Sequence, residues 1–185
     1  MDIILVHPEI PHNSGCAGRL AAALNLPLHL VEPLGFSLED RYLKRAGLDY
    51  WPMVNLTVHP NWGALQSAVE GRSARPFKER LRLFSARAGR SLFETTFESD
   101  DLLVFGSETK GLPRDLLERN PDARVYIPIQ PGVRSLNLAN TVALAAYTAL
   151  VRAGVPLPDN DGHHEPHPDA GENVTPSDRA ESAER

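Results

Sequence analysis

Short runs of apolar residues alternate, along the first 152 residues, with longer segments that carry helix-forming patterns. Runs of this length fit strands that are buried on both faces, as in a parallel sheet. When strands and helices alternate along a chain, the helices connect the strands and cover the sheet. The sequence therefore predicts an α/β fold, with a mainly parallel sheet and helices on both faces. The predicted strands are Ile3–Val6, Leu28–Val31, Val54–Val58, Leu81–Ser85, Leu102–Phe105 and Val125–Ile129.

Capping residues and prolines place the helices between these strands. The predicted helices start at Asn13 or Ser14, at a capping box of Ser37 and Asp40, at Pro60 and at Pro113, and the last helix spans Leu136–Arg152.

The charge of the chain is unevenly distributed. The net charge is −5, but residues 156–185 hold eight acids against two bases, which leaves residues 1–155 near +1. This tail has too few large apolar residues to offset the entropy cost of ordering. We therefore predict one domain over residues 1–155 and a disordered acidic tail over residues 156–185. The charge of the domain is compatible with binding RNA.

Several other classes of protein are excluded by what the sequence lacks. The single Cys16 rules out an intrachain disulfide, and there is neither a signal-peptide pattern nor an apolar run long enough for a membrane span. We therefore expect a cytoplasmic protein. The chain has no G-x-G-x-x-G, no G-x-x-x-x-G-K-[ST] and no G-x-S-x-G motif. The histidines of the tail have no framework for a metal site, and we expect no metal.

The first segment with candidate functional residues is PEIPHNSGCAGR, residues 8–19. If Asn13, Ser14 and Gly15 open a helix, their backbone N–H groups are free to bind an anion such as phosphate. Arg19 follows on the same helix and is expected to reach the same space. The alternative is an ordinary helix cap followed by a surface arginine.

The second segment is LLVFGSETKGLP, residues 102–113, in which a buried strand ends at a glycine. Open α/β sheets bind ligands beyond the carboxyl ends of their strands, and glycine lets a ligand approach the backbone. Gly106 is therefore a candidate ligand-binding residue. Glu108 is either a polar loop residue or a partner for a cation or a ribose hydroxyl.

The third segment is IPIQPGVRSLNLAN, residues 127–140, which joins the last strand to a strongly apolar helix. Four polar residues fall within seven positions where this helix begins. Some of them can act as caps, but their number favours a functional site. These residues are Arg134, Ser135, Asn137 and Asn140.

Together the three segments resemble the motifs of the SpoU-type methyltransferases of the SPOUT superfamily. The patterns N-x-G-x-x-x-R, F-G-x-E-x-x-G-L and I-P-x-x-x-x-x-R-S-L-N-L-x-N occur in that order. Residues 31–36 (VEPLGF) and 43–51 (LKRAGLDYW) are further similar to the TrmL-like enzymes that methylate the tRNA wobble nucleotide. The resemblance covers about residues 2–153. It implies a C-terminal trefoil knot, a homodimer whose sites are completed by the partner chain, and ribose 2′-O-methylation.

The resemblance also implies a donor, an acceptor and a set of site residues. The donor is S-adenosyl-L-methionine, and the acceptor is the wobble cytidine or uridine, position 34, in the anticodon stem-loop of tRNA. Other members of the superfamily methylate rRNA or other tRNA riboses, and a catalytically silent RNA-binding relative is a further alternative. The implied donor-binding residues are Phe84, Ser85, Gly106, Ile127, Ser135 and Leu136.

On the acceptor side, the resemblance implies that Arg19 activates the ribose hydroxyl. A guanidinium is a poor base because its pKa is above about 12. We therefore expect Arg19 to hold a phosphate and to polarise the hydroxyl as a cation. The sequence departs from the family at residues 14–18, where SGCAG replaces the more usual T-G-N-I-x. The residues implied to orient the acceptor are Asn13, Glu108, Ser135 and Asn137.

Overall fold

The computed structural model describes residues 1–38 and 50–159, and these residues form an α/β fold around one sheet. All neighbouring strands of the sheet are parallel, in the order β3-β2-β1-β6-β4-β7-β5. This confirms the predicted fold class. The strands are β1 (Asp2–Val6), β2 (Leu28–Val31), β3 (Leu56–His59), β4 (Leu81–Phe84), β5 (Arg90–Ser91), β6 (Leu102–Phe105) and β7 (Arg124–Tyr126).

The sheet is buried on both faces, which explains its continuous apolar strands. In β1, Ile3 and Leu5 belong to one core cluster, whereas Ile4 and Val6 belong to another. Alternate side chains of a strand point to opposite faces, so the two clusters lie on the two sides of the sheet. The helices are α1 (Pro11–Ala23), α2 (Trp62–Glu70), α3 (Phe77–Arg80), α4 (Arg114–Arg119) and α5 (Leu138–Arg152).

Helix α1 begins earlier than predicted. It starts at Pro11, with Ile10 as the capping residue, so that Asn13 and Ser14 lie inside the helix and are buried. The prediction that one of them caps α1 is wrong. The physical reason is that proline is favoured in the first turn of a helix, where its fixed φ suits the helix and its missing N–H is not needed.

Asparagine side chains cap two other helices. Asn61 accepts a hydrogen bond from the Ala64 backbone N–H, so α2 starts after Asn61 rather than at Pro60. Asn137 accepts from the backbone N–H of Asn140 at the start of α5.

Two of the sequence predictions lie mostly outside the described residues. These are the helix of residues 38–46, of which only Leu38 is described, and the tail beyond residue 159. Within the described part of the chain, no helix is long and apolar enough to cross a membrane.

A buried polar cluster lies on the sheet face that α2 covers. His29 Nδ1 lies 3.0 Å from His59 Nε2, and His29 Nε2 lies 3.2 Å from the Asp2 carboxylate. Arg72 also reaches Asp2, at 3.6 Å. Burial, the neighbouring His29 and the charge of Arg72 all lower the pKa of His59 below 6.5. Burial opposes ionisation of Asp2, but the hydrogen bond from His29 and the nearby positive charges outweigh it, so the pKa of Asp2 is also lowered.

Candidate active site

A cavity of about 680 Å³ opens at the carboxyl ends of β4, β6 and β7. Its walls come from the loops that follow these strands and from the start of α1. This is the edge at which open parallel sheets bind ligands. The floor is apolar, because Phe84 stacks on Phe105 with ring centroids 4.6 Å apart.

All six residues that were predicted to bind the donor line this one cavity. Phe84 and Ser85 belong to the loop after β4, Gly106 follows β6, and the others belong to the segment between β7 and α5. The fold thus brings together residues up to 52 positions apart in the chain. They are Phe84, Ser85, Gly106, Ile127, Ser135 and Leu136.

Gly106 has no space for a side chain. A Cβ atom built on Gly106 overlaps the backbone of Gly111 and Leu112, because the loop folds back on itself there. Ser107 and Gly111 exchange two backbone hydrogen bonds, of 3.2 and 2.9 Å, which close this turn. Gly111 adopts a φ of +71°, a conformation that favours glycine. The glycines therefore shape one wall of the cavity.

The carboxylate of Glu108 binds the start of α1. Glu108 accepts hydrogen bonds from the backbone N–H groups of Glu9 (2.8 Å) and Ile10 (3.2 Å) and from Asn13 Nδ2 (2.9 Å). A carboxylate is the kind of group that a helix N-terminus favours. The prediction of a phosphate site at residues 13–15 is therefore wrong, since these residues are buried within α1 and the anion at its start is Glu108.

A second contact joins the same two loops in the opposite direction. The carboxylate of Glu9 accepts hydrogen bonds from the Thr109 hydroxyl at 2.7–2.8 Å and from the Thr109 backbone N–H at 3.2 Å. Each loop thus donates to a carboxylate of the other. This exchange fixes the cavity wall that follows β6 relative to the start of α1.

Asn13 and Asn137 extend this network to the third segment. Asn137 Nδ2 donates to Asn13 Oδ1 at 3.0 Å, while Asn13 Nδ2 donates to Glu108. Both amides are thereby oriented, and the three sequence motifs are joined by side-chain hydrogen bonds. The polar side chains of Glu108 and Asn137 thus bind other groups of the protein.

The segment before α5 is the open side of the cavity. Ser135, Leu136 and Asn137 are exposed, and 48% of the surface of Val133 is accessible. Polar groups of this segment can therefore contact a large substrate that approaches from solvent. Among residues 1–38 and 50–159, Glu108 is the only carboxylate that lines the cavity, and its oxygens already accept hydrogen bonds from protein donors.

Arg19 does not line the cavity of its own chain. It is exposed on α1, and its guanidinium lies 4.6 Å from the centre of the Tyr50 ring. The expectation that Arg19 reaches the space next to Asn13 is therefore wrong within one chain. Tyr50 is held by a 2.9 Å hydrogen bond from its hydroxyl to the Gly15 carbonyl oxygen.

Gly18, which stands at the variable position of the first motif, packs closely against Trp51. A Cβ atom on Gly18 would lie 3.0 Å from the Trp51 ring, closer than most real contacts of this kind. A small residue at position 18 thus lets the segment Trp51–Met53 approach α1.

The sequence reasoning missed two cations of the cavity, Arg87 and Lys110. Arg87 lies three residues after the end of β4, and its backbone is held by Ser85, whose hydroxyl donates to the Arg87 carbonyl oxygen at 2.9 Å. Lys110 lies in the turn that Gly106 begins. Their places just beyond strand ends were the available signal, but surface cations in loops are too common to be singled out.

Comparisons with known proteins identify the family of the chain. The SpoU rRNA methylase family matches residues 1–147. A tRNA (cytidine(34)-2′-O)-methyltransferase of Burkholderia ambifaria is 46% identical over 154 residues, which cover 83% of this chain and 96% of the relative. The enzyme of the same description from Methylovorus glucosotrophus is 46% identical over 151 residues, covering 80% and 92%.

Solved structures give the same result. A structure described as giving insights into the 2-OH methylation of C/U34 on tRNA is 47% identical, with a TM-score of 0.75, and the match covers 83% of this chain and 95% of that one. The SpoU methyltransferase AviRb from Streptomyces viridochromogenes, in complex with AdoMet, shares the fold at 24% identity and a TM-score of 0.69, covering 82% and 57%. Because the family match spans most of the chain and includes all three motifs, this chain belongs to the SpoU rRNA methylase family.

Proposed function

We propose that this protein transfers a methyl group from S-adenosyl-L-methionine to the ribose 2′-hydroxyl of the wobble nucleotide of tRNA, cytidine or uridine at position 34. The observation that carries the proposal is the convergence of all three motif loops on one cavity. The substrate is supported by relatives that are 46% identical over most of their length and are tRNA (cytidine(34)-2′-O)-methyltransferases.

The cavity suits the donor in size and in chemistry. Its volume of about 680 Å³ lies within the usual range for small-molecule sites of roughly 300–1,000 Å³. The apolar floor of Phe84 and Phe105 fits an adenine ring, and the tight turn at Gly106 presents backbone groups. We assign donor binding to Phe84, Ser85, Gly106, Ile127, Ser135 and Leu136.

The donor supplies a methyl group on a sulfonium, which is a good leaving group, so the protein must mainly place the acceptor hydroxyl and let its proton leave. In the reaction, the ribose oxygen would form a bond to the methyl carbon, the carbon–sulfur bond would break with its electron pair staying on sulfur, and the hydroxyl proton would pass to water. Ser135 and Asn137 lie at the open side of the cavity, where the hydroxyl must enter. Asn13 and Glu108 hold Asn137 in place.

We assign Arg19 to a cavity of the partner chain in a homodimer. The support is its position: Arg19 is exposed and lies outside the cavity of its own chain. Helix α5 also exposes an apolar stripe, Leu144, Tyr147 and Val151, which are 38%, 44% and 61% accessible. Residues at this spacing share one helix face, and an exposed apolar face of this kind suits an interface between two copies. Arg19 then acts as a cation that holds a phosphate and polarises the hydroxyl.

The remaining architecture follows the family. We propose that the C-terminal part of the domain is threaded as a trefoil knot, that residues 1–155 form the catalytic domain, and that the acidic tail is dispensable in a cytoplasmic enzyme. The strand order supports the threading, because β7 lies between β4 and β5 although it follows both in sequence.

The proposal is tested with Arg19→Ala and Arg19→Lys in a single-turnover assay on a tRNA anticodon stem-loop. Donor binding, measured by calorimetry, should stay near wild type in both variants. Transfer should fall at least about a hundredfold in Arg19→Ala, within the range found for removal of one electrostatic contact to the transition state. Arg19→Lys should retain part of the transfer activity, because lysine keeps the positive charge but lacks the planar guanidinium that binds a phosphate with two parallel hydrogen bonds.

Three outcomes contradict the proposal. Wild-type activity of Arg19→Ala would remove the acceptor-side assignment. If the protein binds the donor but methylates rRNA or another tRNA ribose, the proposed substrate is wrong. Failure of the wild-type protein to bind the donor would indicate a catalytically silent relative.

A further inference from the structure

Most arginines of the described chain are satisfied by carbonyls or carboxylates. Arg75 and Arg82 pair with Asp101, and Arg80 reaches Val69 and Asp100. Arg72, Arg114, Arg124 and Arg152 bind Asp2, Glu118, Leu117 and Thr95 in the same way. The charges of these arginines are thus at least partly balanced by groups of the protein itself.

Three cations at the cavity differ from this pattern. Arg87, Lys110 and Arg134 all line the cavity, and within residues 1–38 and 50–159 no carboxylate lies within ion-pair distance of their side chains. Glu108, the one acid that lines the cavity in the described part of the chain, is turned towards Glu9, Ile10 and Asn13. The mouth of the cavity therefore carries an excess of positive charge, which we call the basic rim (Arg87, Lys110 and Arg134).

The basic rim is unfavourable for the donor alone. S-Adenosyl-L-methionine carries a sulfonium, an ammonium and a carboxylate, so it has one net positive charge and is repelled by the rim. An anion at the rim would relieve this repulsion when the donor is bound, and the phosphates of RNA are anions that arginine and lysine bind well.

We propose that the basic rim binds the phosphates next to the target nucleotide, and that this neutralisation couples RNA binding to donor binding. The inference rests on the proposed function, since it places the RNA at the same cavity. Arg87 and Arg134 also line a neighbouring groove that includes Tyr126 and Gln130. The RNA backbone can therefore cross the cavity mouth at these two arginines. By linkage, RNA must raise the affinity for the donor by the same factor by which the donor raises the affinity for RNA.

The test uses full-length Arg87→Gln, Lys110→Gln and Arg134→Gln, with Lys78→Gln as the matched control. Lys78 is an exposed lysine on α3, before the start of β4, so it lies at the opposite edge of the sheet from the cavity. Affinity for an anticodon stem-loop is measured between 50 and 200 mM salt. Each rim variant should weaken RNA binding about three- to tenfold at 0.1 M salt and make the slope of log K against log salt shallower by about 0.7–0.9. Lys78→Gln should change neither quantity.

A second measurement separates the rim from a merely structural role. Calorimetry on free protein compares S-adenosyl-L-methionine with S-adenosyl-L-homocysteine, which lacks the sulfonium charge and has no net charge. Removing a rim cation should tighten the binding of S-adenosyl-L-methionine by about two- to fivefold. The affinity for S-adenosyl-L-homocysteine should change by less than about twofold. A damaged fold would weaken both.

Several results would overturn the inference. If S-adenosyl-L-methionine and S-adenosyl-L-homocysteine both bind more weakly to a rim variant, the cation holds the carboxylate that the two compounds share. If inorganic phosphate at millimolar concentration displaces the RNA and raises the donor affinity as much as the RNA does, the rim is a site for free phosphate. An unchanged salt slope in all three variants places the RNA elsewhere. The proposed function is tested separately by the wild-type protein, because loss of its donor binding or methyl transfer would contradict that proposal whatever the rim variants show.

Discussion

At the scale of single residues, the cavity depends on what Gly106, Glu108 and Asn137 contact. Gly106 leaves room for a backbone turn, Glu108 binds the start of α1, and Asn137 both caps α5 and donates to Asn13. Contacts likewise explain how polar side chains are buried at the sheet: His29 and His59 form a hydrogen bond with each other.

Gly106→Ala is expected to weaken donor binding strongly. The added Cβ overlaps the backbone of Gly111 and Leu112, so the loop that lines the cavity must move. Calorimetric donor affinity should fall at least about tenfold, because the turn cannot be kept. Gly71→Ala is the matched control, since a Cβ there meets nothing within 4 Å. Normal donor affinity in Gly106→Ala would show that the donor binds elsewhere.

His59 is expected to make the stability of the fold depend on pH below neutrality. Its pKa is lowered below 6.5 in the fold, so the unfolded chain binds a proton more readily than the folded one. The stabilisation is fully present above about pH 6.5 and is lost as the pH falls through the lowered pKa of the folded state. The groups around it are His29, Asp2 and Arg72.

The measurement is the melting temperature of wild type and His59→Gln between pH 7.5 and 5.5. Wild type should lose stability on acidification, and the variant should lose less, because glutamine keeps a polar group near His29 without titrating. Parallel curves for the two proteins would contradict the assignment, since the other titrating groups are common to both.

Much of the residue-level site could be predicted, because the motifs carry it. The six donor-side residues lie together as expected. Arg87 and Lys110 could not be predicted, because their significance comes from the three-dimensional structure, in which no carboxylate of residues 1–38 and 50–159 pairs with them. The same holds for the position of Arg19 on Tyr50, which depends on how the segment after residue 49 packs.

At the scale of elements, the strands were easier to predict than the helix starts. Burial on both faces gives the central strands β1 and β6 the apolar runs Ile3–Val6 and Leu102–Phe105. Strands β2 and β6 have the predicted bounds. The start of α1 was misplaced, because Asn13 and Ser14 are typical capping residues that here are used in tertiary contacts and burial. Local capping preference is weaker than the tertiary contacts that oppose it.

Helix α5 offers a test that separates capping from catalysis. Asn137→Asp should keep the cap, since a carboxylate oxygen can accept from the Asn140 N–H, but it cannot donate to Asn13. Asn137→Ala loses both contacts. We expect a loss of stability of about 0.5–2 kcal/mol in Asn137→Ala and much less in Asn137→Asp, whereas methyl transfer falls strongly in both. Denaturant unfolding together with a transfer assay measures this, and full activity in Asn137→Asp would show that Asn137 is only a cap.

At the scale of the whole molecule, the proposal requires two chains for each working site. Co-expressed Arg19→Ala and Gly106→Ala chains test this directly, because each variant alone is expected to be inactive. In a mixed dimer, the intact cavity of one chain meets the intact Arg19 of the other. Random pairing should then recover about a quarter of wild-type activity. No recovery in purified mixed dimers would place Arg19 and the cavity of one chain in the same site.

The most direct test of the central claim is mass-spectrometric mapping of methylated nucleotides in tRNA that has been incubated with the purified protein and S-adenosyl-L-methionine. We predict 2′-O-methylcytidine or 2′-O-methyluridine at position 34, with no new methyl group elsewhere in the tRNA, and no such product with Gly106→Ala. Methylation of a base, methylation at another position, or an unmodified position 34 under conditions in which the protein binds the donor would contradict the account.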